Sequence, residues 1–107
     1  MTLPKIYITI DDGLDPTHSI EILSLLKKYE AKATFFWITQ KAQELHDNNI
    51  ALFSEILSLI NTDGHEIGFH DPADYLPNLK SRIWSHFSFA EFTKGLEDLS
   101  KLTEASV

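Results

Sequence analysis

Cysteine is absent from the 107-residue sequence, and basic residues are scarce. Without cysteine the chain has no disulfide framework, no thiolate metal site and no cysteine nucleophile. The 9 Lys and Arg are outnumbered by 16 Asp and Glu, for a formal net charge of −7. This balance argues against nucleic acid or an anionic membrane surface as a partner, because both bind clustered positive charge. No apolar stretch approaches the ~20 residues of a membrane span.

The length predicts a single domain over residues 1–107, large enough to bury a core. The 4 Gly and 4 Pro are spaced as turns between elements and form no linker. Residues 1–10 lack the basic and then apolar order of a signal peptide. The chain as given is therefore expected in the cytoplasm. A secreted or cell-envelope location is expected instead if an upstream segment is missing.

The hydrophobic pattern alternates between strands and helices. Short β-branched and aromatic runs predict a buried strand at Lys5–Ile10, a second strand at Ala33–Ile38 and a third at His65–His70. The second run is apolar on both faces, so we expect it at the centre of the sheet and covered on both sides. Apolar spacing predicts helices from an Asp15 cap and Pro16 to about Tyr29, at Gln40–Leu45, at Ile50–Ile60 before Gly64, and from a Ser88 cap to Leu102. The order predicts an α/β fold of parallel βα units.

Carboxylates and a histidine follow the first and third predicted strands. Asp11 and Asp12 end the first, and His70 ends the third, with Asp71 and Asp74 just beyond. Sites in α/β folds form at the carboxyl ends of the strands. Neighbouring strand residues point in opposite directions, which favours one carboxylate on a metal ion and the other as a base, unless the backbone bends at the following glycine. The alternative is a solvated turn whose Asp side chains cap the next helix.

Three segments occur in the order and spacing of a known family. Thr9–Gly13 (TIDDG) resembles the first motif of the polysaccharide deacetylases, the NodB-homology domain of carbohydrate esterase family 4. Lys32–Phe36 (KATFF) resembles the second strand of that family, and Gly64–His70 (GHEIGFH) resembles the segment leading into its second motif. One such match is weak, but three together are specific.

The resemblance implies hydrolysis of N-acetyl or O-acetyl groups on a sugar polymer or chitooligosaccharide. It assigns Asp11 as the catalytic base, and Asp12 and His70 as ligands of one divalent ion, commonly zinc. His65 is expected to be structural rather than a ligand. The implied fold is a distorted (β/α) barrel of about seven or eight strands, of which the chain resembles the first three.

The position of the remaining metal ligand departs from the family. The second histidine of its second motif is replaced by Asp74 in the ungapped register. Two carboxylates would neutralise a divalent ion and favour manganese, cobalt or magnesium over zinc. Trp84–His86 resembles the Trp-Ser-His that often carries that ligand, so His86 is the alternative if residues 72–83 are an insertion. A site with no third protein ligand is also left open.

The later family motifs, including a histidine that acts as general acid, have no counterpart in this sequence. His18 follows the first motif but is expected at the surface. Three parallel strands leave open edges, so we expect self-association or a second chain that completes the barrel. The alternatives to an enzyme are a degenerate homologue that binds carbohydrate or a partner, and, by fold analogy alone, a response-regulator-like switch. The switch would need an Asp where the third strand ends in His70.

Overall fold

The computed structural model describes residues 6–73 and 88–104, which form three parallel strands and four helices. The strands are β1 (Ile8–Gly13), β2 (Ala33–Ile38) and β3 (Glu66–Asp71). The helices are α1 (Ser19–Lys28), α2 (Thr39–Asn48), α3 (Ile50–Thr62) and α4 (Phe89–Thr103). The sheet order is β1-β2-β3, and both pairs are parallel. The predicted α/β architecture is therefore confirmed.

The central strand β2 buries one of its two faces. Ala33, Phe35 and Trp37 lie on that face and join a core with side chains from all four helices. The core residues are Leu14, Leu23, Leu26, Ala33, Phe35, Trp37, Ala42, Leu45, Phe53, Ile56, Ile60 and Leu99. Thr34 and Phe36, on the opposite face, are only half-buried. The central position of this strand is confirmed, but cover on both sides was predicted and the second face is covered only in part.

The first strand differs from its prediction in both position and burial. It was expected as a buried strand at Lys5–Ile10, whereas β1 runs from Ile8 to Gly13 and most of its residues are exposed. Ile8 itself is 37% exposed. Within the described residues β1 is an edge strand that pairs only with β2. It is therefore less buried than a central strand, which has a neighbouring strand on each side.

The ends of the helices follow side-chain hydrogen bonds. The Asp15 carboxylate accepts from the backbone N–H of Thr17 at 2.7 Å and of His18 at 3.3 Å, which closes a turn. α1 therefore begins at Ser19, and the prediction that Asp15 caps it was wrong. The cap at Ser88 is confirmed, since its hydroxyl and the Glu91 carboxylate form a capping box. No helix in the described part of the chain has the length and apolar content to cross a membrane.

His65 is buried between β2 and the end of α3. Its side chain is 7% exposed, and its Nδ1 accepts a hydrogen bond from the backbone N–H of Ala33 at 3.0 Å. The ring also meets the edge of Phe35. These contacts confirm the structural role expected for His65. Burial lowers the pKa of the imidazole, and the nearby Lys32 charge lowers it further, against a smaller opposing effect of Asp63.

We predict that His65 makes the fold sensitive to mild acid. Its pKa in the folded protein lies below the ordinary value of 6.5, so below that pH the unfolded chain binds more protons than the folded chain. The free energy of unfolding should therefore fall as the pH decreases below 6.5. Urea unfolding between pH 7 and pH 5 should show a weaker decrease for His65→Asn than for the wild type.

His18→Asn is the matched control. Asp15 raises the pKa of the exposed His18, so this histidine has the opposite linkage, and its replacement should not weaken the acid-side decrease. An identical pH dependence in the His65→Asn variant and the wild type would contradict the prediction.

Candidate metal centre

β1 contains a bulge next to its carboxyl end. Ile10 pairs with Phe35 and Gly13 with Trp37, so β1 advances three residues while β2 advances two. The backbone turns at Asp12, whose φ of 63° lies in the left-handed region that Asp tolerates better than most residues. The sequence indicated only that Gly13 would permit a bend, whereas the left-handed residue is Asp12. The glycine instead allows close packing, because a Cβ there would lie 2.9 Å from Cδ1 of Trp37.

A second bulge lies across the sheet in β3. Trp37 pairs with Phe69, and the next β2 residue, Ile38, pairs with Asp71. His70 is therefore the extra residue of β3. The two bulges flank the same residue of the central strand, Trp37, which is 1% exposed. Bulges of this kind change the direction in which a side chain points.

Together the bulges bring Asp12 and His70 over the end of β2. Asp12 Oδ1 lies 3.3 Å from His70 Nε2, with the side chains 69% and 32% exposed, respectively. A tetrahedral ion bound at about 2.0–2.1 Å separates its ligands by about 3.3–3.4 Å. Both donor types, carboxylate oxygen and imidazole nitrogen, suit zinc and related divalent ions. The pair therefore fits a metal ion in spacing and in chemistry.

Asp71 contacts the Nδ1 side of the His70 ring, opposite the nitrogen that faces Asp12. Its Oδ2 lies 2.7 Å from His70 Nδ1, and its side chain is 24% exposed. A proton on Nδ1 that is donated to this carboxylate leaves the Nε2 lone pair directed at Asp12. Metal-binding histidines are commonly oriented in this way by a carboxylate. From the sequence, Asp71 was expected near the cluster without a role, although an acid directly after a candidate ligand was the available signal.

The remaining candidate site residues are Asp11, Asp74 and His86. Asp11 lies in the β1 bulge and is exposed, but within the described residues the carboxylates in contact with His70 are those of Asp12 and Asp71. Asp74 and His86 lie outside the described residues. Over residues 6–73 and 88–104, no group of three or more His, Asp or Glu side chains is placed to hold one ion. The described site therefore supplies two donors, Asp12 and His70.

A groove of about 490 Å³ lies directly beside Asp12. Leu14, Asp15 and Pro16 line it from the segment after β1, and Lys41, Glu44, Leu45 and Asn48 line it from α2. His18 is bonded to Asp15 through its Nδ1 at 2.8 Å, and its side chain is 60% exposed. The surface position expected for His18 is thus confirmed.

Comparison with known proteins identifies relatives over most of the chain. The family model described as polysaccharide deacetylase matches residues 2–104. A peptidoglycan-N-acetylglucosamine deacetylase of Bacillus cereus is 45% identical over 65 residues, covering 61% of this chain and 27% of that protein. A chitooligosaccharide deacetylase of Azorhizobium caulinodans is 38% identical over 78 residues, covering 73% of this chain and 32% of that protein.

A solved structure of a peptidoglycan deacetylase is also similar to this chain. The peptidoglycan deacetylase PdaC from Bacillus subtilis superposes with a TM-score of 0.61 at 30% identity, covering 92% of this chain and 41% of that chain. The chain thus spans less than half the length of the relatives it matches. The extent of the family match and the shared parallel α/β fold show that the chain belongs to the polysaccharide deacetylase family.

Proposed function

We propose that this chain provides the metal-binding part of a hydrolase that removes acetyl groups from an N-acetylated or O-acetylated sugar polymer. The observation that carries the proposal is the Asp12–His70 pair, with its 3.3 Å separation and with Asp71 behind the imidazole. Two of the relatives are named as a peptidoglycan-N-acetylglucosamine deacetylase and a chitooligosaccharide deacetylase, which favours an N-acetyl substrate. Peptidoglycan as the substrate would favour the cell-envelope location over the cytoplasmic one.

Asp12 and His70 would hold one divalent ion in this proposal. When bound, the ion would act as a Lewis acid that polarises the acetyl carbonyl and lowers the pKa of water. The third ligand would be Asp74 or, alternatively, His86, or the site would have no third protein ligand. Zinc suits a site completed by a histidine, whereas Asp74 would favour manganese, cobalt or magnesium. Asp71 would keep the His70 ring in the orientation that presents Nε2.

Asp11 is the proposed catalytic base. It lies in the same bulge as Asp12, next to the candidate ligand in sequence and exposed to solvent. Its carboxylate would accept the proton of the attacking water, a role that requires an ionised oxygen within hydrogen-bonding reach of that water. The two adjacent carboxylates would thus divide the work between binding the ion and moving the proton.

We also propose that residues 1–107 are one partial domain of a larger (β/α) barrel. Within the described residues no strand pairs with the outer edge of β1 or of β3. The sheet face that carries Thr9 and Thr34 is exposed or half-buried, whereas the opposite face forms the core. Such a face and two open edges suit further strands, from a second copy, from another chain or from the rest of a longer protein.

The second candidate is a degenerate homologue that binds carbohydrate or a partner without turnover. It is favoured by one observation in the sequence, that Asp74 stands where the family's second motif has a second histidine. The two functions differ in one measurable respect, since only the enzyme releases acetate.

We predict that Asp11→Asn lowers the turnover of an N-acetylchitooligosaccharide by at least about 10²-fold, because the amide cannot accept the proton of water. Acetate release would be measured with zinc or cobalt present, and metal affinity would be measured in parallel by calorimetry. The affinity should stay near that of the wild type, since Asp12 and His70 are retained. Asp63→Asn, at the opposite end of the sheet, is the control and should leave the rate unchanged.

Two outcomes would count against the enzymatic proposal. Equal acetate release by Asp11→Asn and the wild type would refute Asp11 as the base. A wild-type chain that binds metal and releases no acetate would favour the degenerate homologue.

We predict that the chain associates in solution through its open sheet. Light scattering should give a mass above the 12.2 kDa of one chain. Thr9→Lys places a charge on β1 and should shift the population towards the monomer, because charged edges resist strand pairing. Leu25→Lys changes an exposed residue of α1 and is the control. A monodisperse wild-type monomer that binds no apolar dye would contradict this prediction.

A further inference from the structure

Lys41 connects α2 to the bulge that carries Asp12. Its Nζ donates a hydrogen bond of 2.8 Å to the backbone carbonyl of Asp12, and its side chain is half-buried. An extra residue in a bulge falls out of the regular ladder, so its backbone groups need other partners. Lys41 provides such a partner at the residue whose carboxylate faces His70.

The backbone at Asp12 requires support of this kind. Its φ of 63° is left-handed, a conformation that costs free energy for any residue with a Cβ atom and persists where the surroundings hold it. A return of this residue to an extended conformation would turn its carboxylate away from His70. The Lys41 bond acts on the carbonyl of that same residue.

Lys41 is itself fixed in place by its helix. It lies in the first turn of α2, where the side chains of a helix lean towards the amino end. Two bonds anchor this end of α2: the Gln40 N–H to the Pro72 carbonyl at 3.0 Å, and the Thr39 hydroxyl to the Gly95 carbonyl at 2.8 Å. The lysine therefore extends from a helix end that is bound to the segment after β3 and to α4.

The charge of Lys41 is poorly placed for its helix. Cations are unfavourable near a helix amino terminus, and α2 has no acidic residue in its first turn to offset this one. A positive charge near Asp12 also opposes the approach of a divalent cation. The bond to the Asp12 carbonyl is a favourable contact that opposes these two effects.

We propose that Lys41 is a positioning residue that holds the β1 bulge in the conformation in which Asp12 can bind a metal ion together with His70. The inference rests on the proposed metal site, but it concerns the backbone of Asp12 and can be tested separately. In this proposal Lys41 acts on the metal site through the Asp12 carbonyl.

The change in cobalt affinity caused by Lys41→Met distinguishes a positioning role of Lys41 from simple charge repulsion of the ion. Lys41→Met keeps the length of the side chain and removes its charge and donors. If Lys41 only repelled the ion, this variant would bind cobalt more tightly. Positioning predicts the opposite, a rise in the Kd for cobalt of about 10-fold, in the range typical for partners that orient a ligand.

The experiment titrates the purified chain with cobalt by calorimetry. Lys41→Arg keeps a charged donor and should restore an affinity close to that of the wild type. Lys27→Met removes an exposed charge from α1 and should change nothing. Circular dichroism checks the fold of each variant, and Lys41→Leu replaces Lys41→Met if the latter does not fold. An unchanged or tighter Kd in the folded neutral variant would overturn the proposal.

A second readout keeps the proposal separate from the metal site. If the wild type binds no cobalt, the proposed metal function fails, and the role of Lys41 is then decided by the backbone carbon shifts of Asp12 in the metal-free protein. Movement of these shifts towards extended values in the neutral variant would support the role of Lys41. Unchanged shifts would overturn it.

Discussion

The candidate site depends on the packing of Trp37 between two bulged strands. Trp37 is buried in the central strand, pairs with Gly13 on one side and Phe69 on the other, and lies so close to Gly13 that no Cβ fits there. On both sides the neighbouring strand takes in one extra residue next to this position. In regular strands the alternation of side chains would set the directions in which Asp12 and His70 point. The bulges change those directions, so that Asp12 and His70 meet over the end of β2.

Asp12 and His70 are each held in position by a contact from a different element. Asp71, the residue after the bulge in β3, bonds the Nδ1 side of the His70 ring, and Lys41 of α2 bonds the carbonyl of Asp12. The helix is in turn bound to the Pro72 carbonyl. The same three elements, β1, β3 and α2, therefore set the position of the site and connect it to the core. This explains how a small sheet with an exposed edge strand can place two donors at metal-binding distance.

Much of the fold could be predicted from local sequence, because apolar periodicity and caps are local properties. The bounds of β2 and the Ser88 cap agree with the structure. The predicted start of α1 was wrong because the Asp15 carboxylate can accept backbone N–H groups in a turn as readily as at the beginning of a helix. The bulges could not be predicted, since the register of a strand depends on its partner. That dependence also explains why Asp11, Asp12 and His70 could be proposed from their residue types, whereas the contacts of Asp71 and Lys41 required coordinates.

The most direct test of this arrangement is anomalous diffraction from crystals grown with zinc, with data collected at the zinc absorption edge. A peak within bonding distance of both the Asp12 carboxylate and His70 Nε2 is the predicted result. The same map would identify the third ligand, whether Asp74, His86 or a solvent molecule. A peak that contacts neither Asp12 nor His70, or no peak at saturating zinc, would contradict the proposal that the two bulges build a metal site.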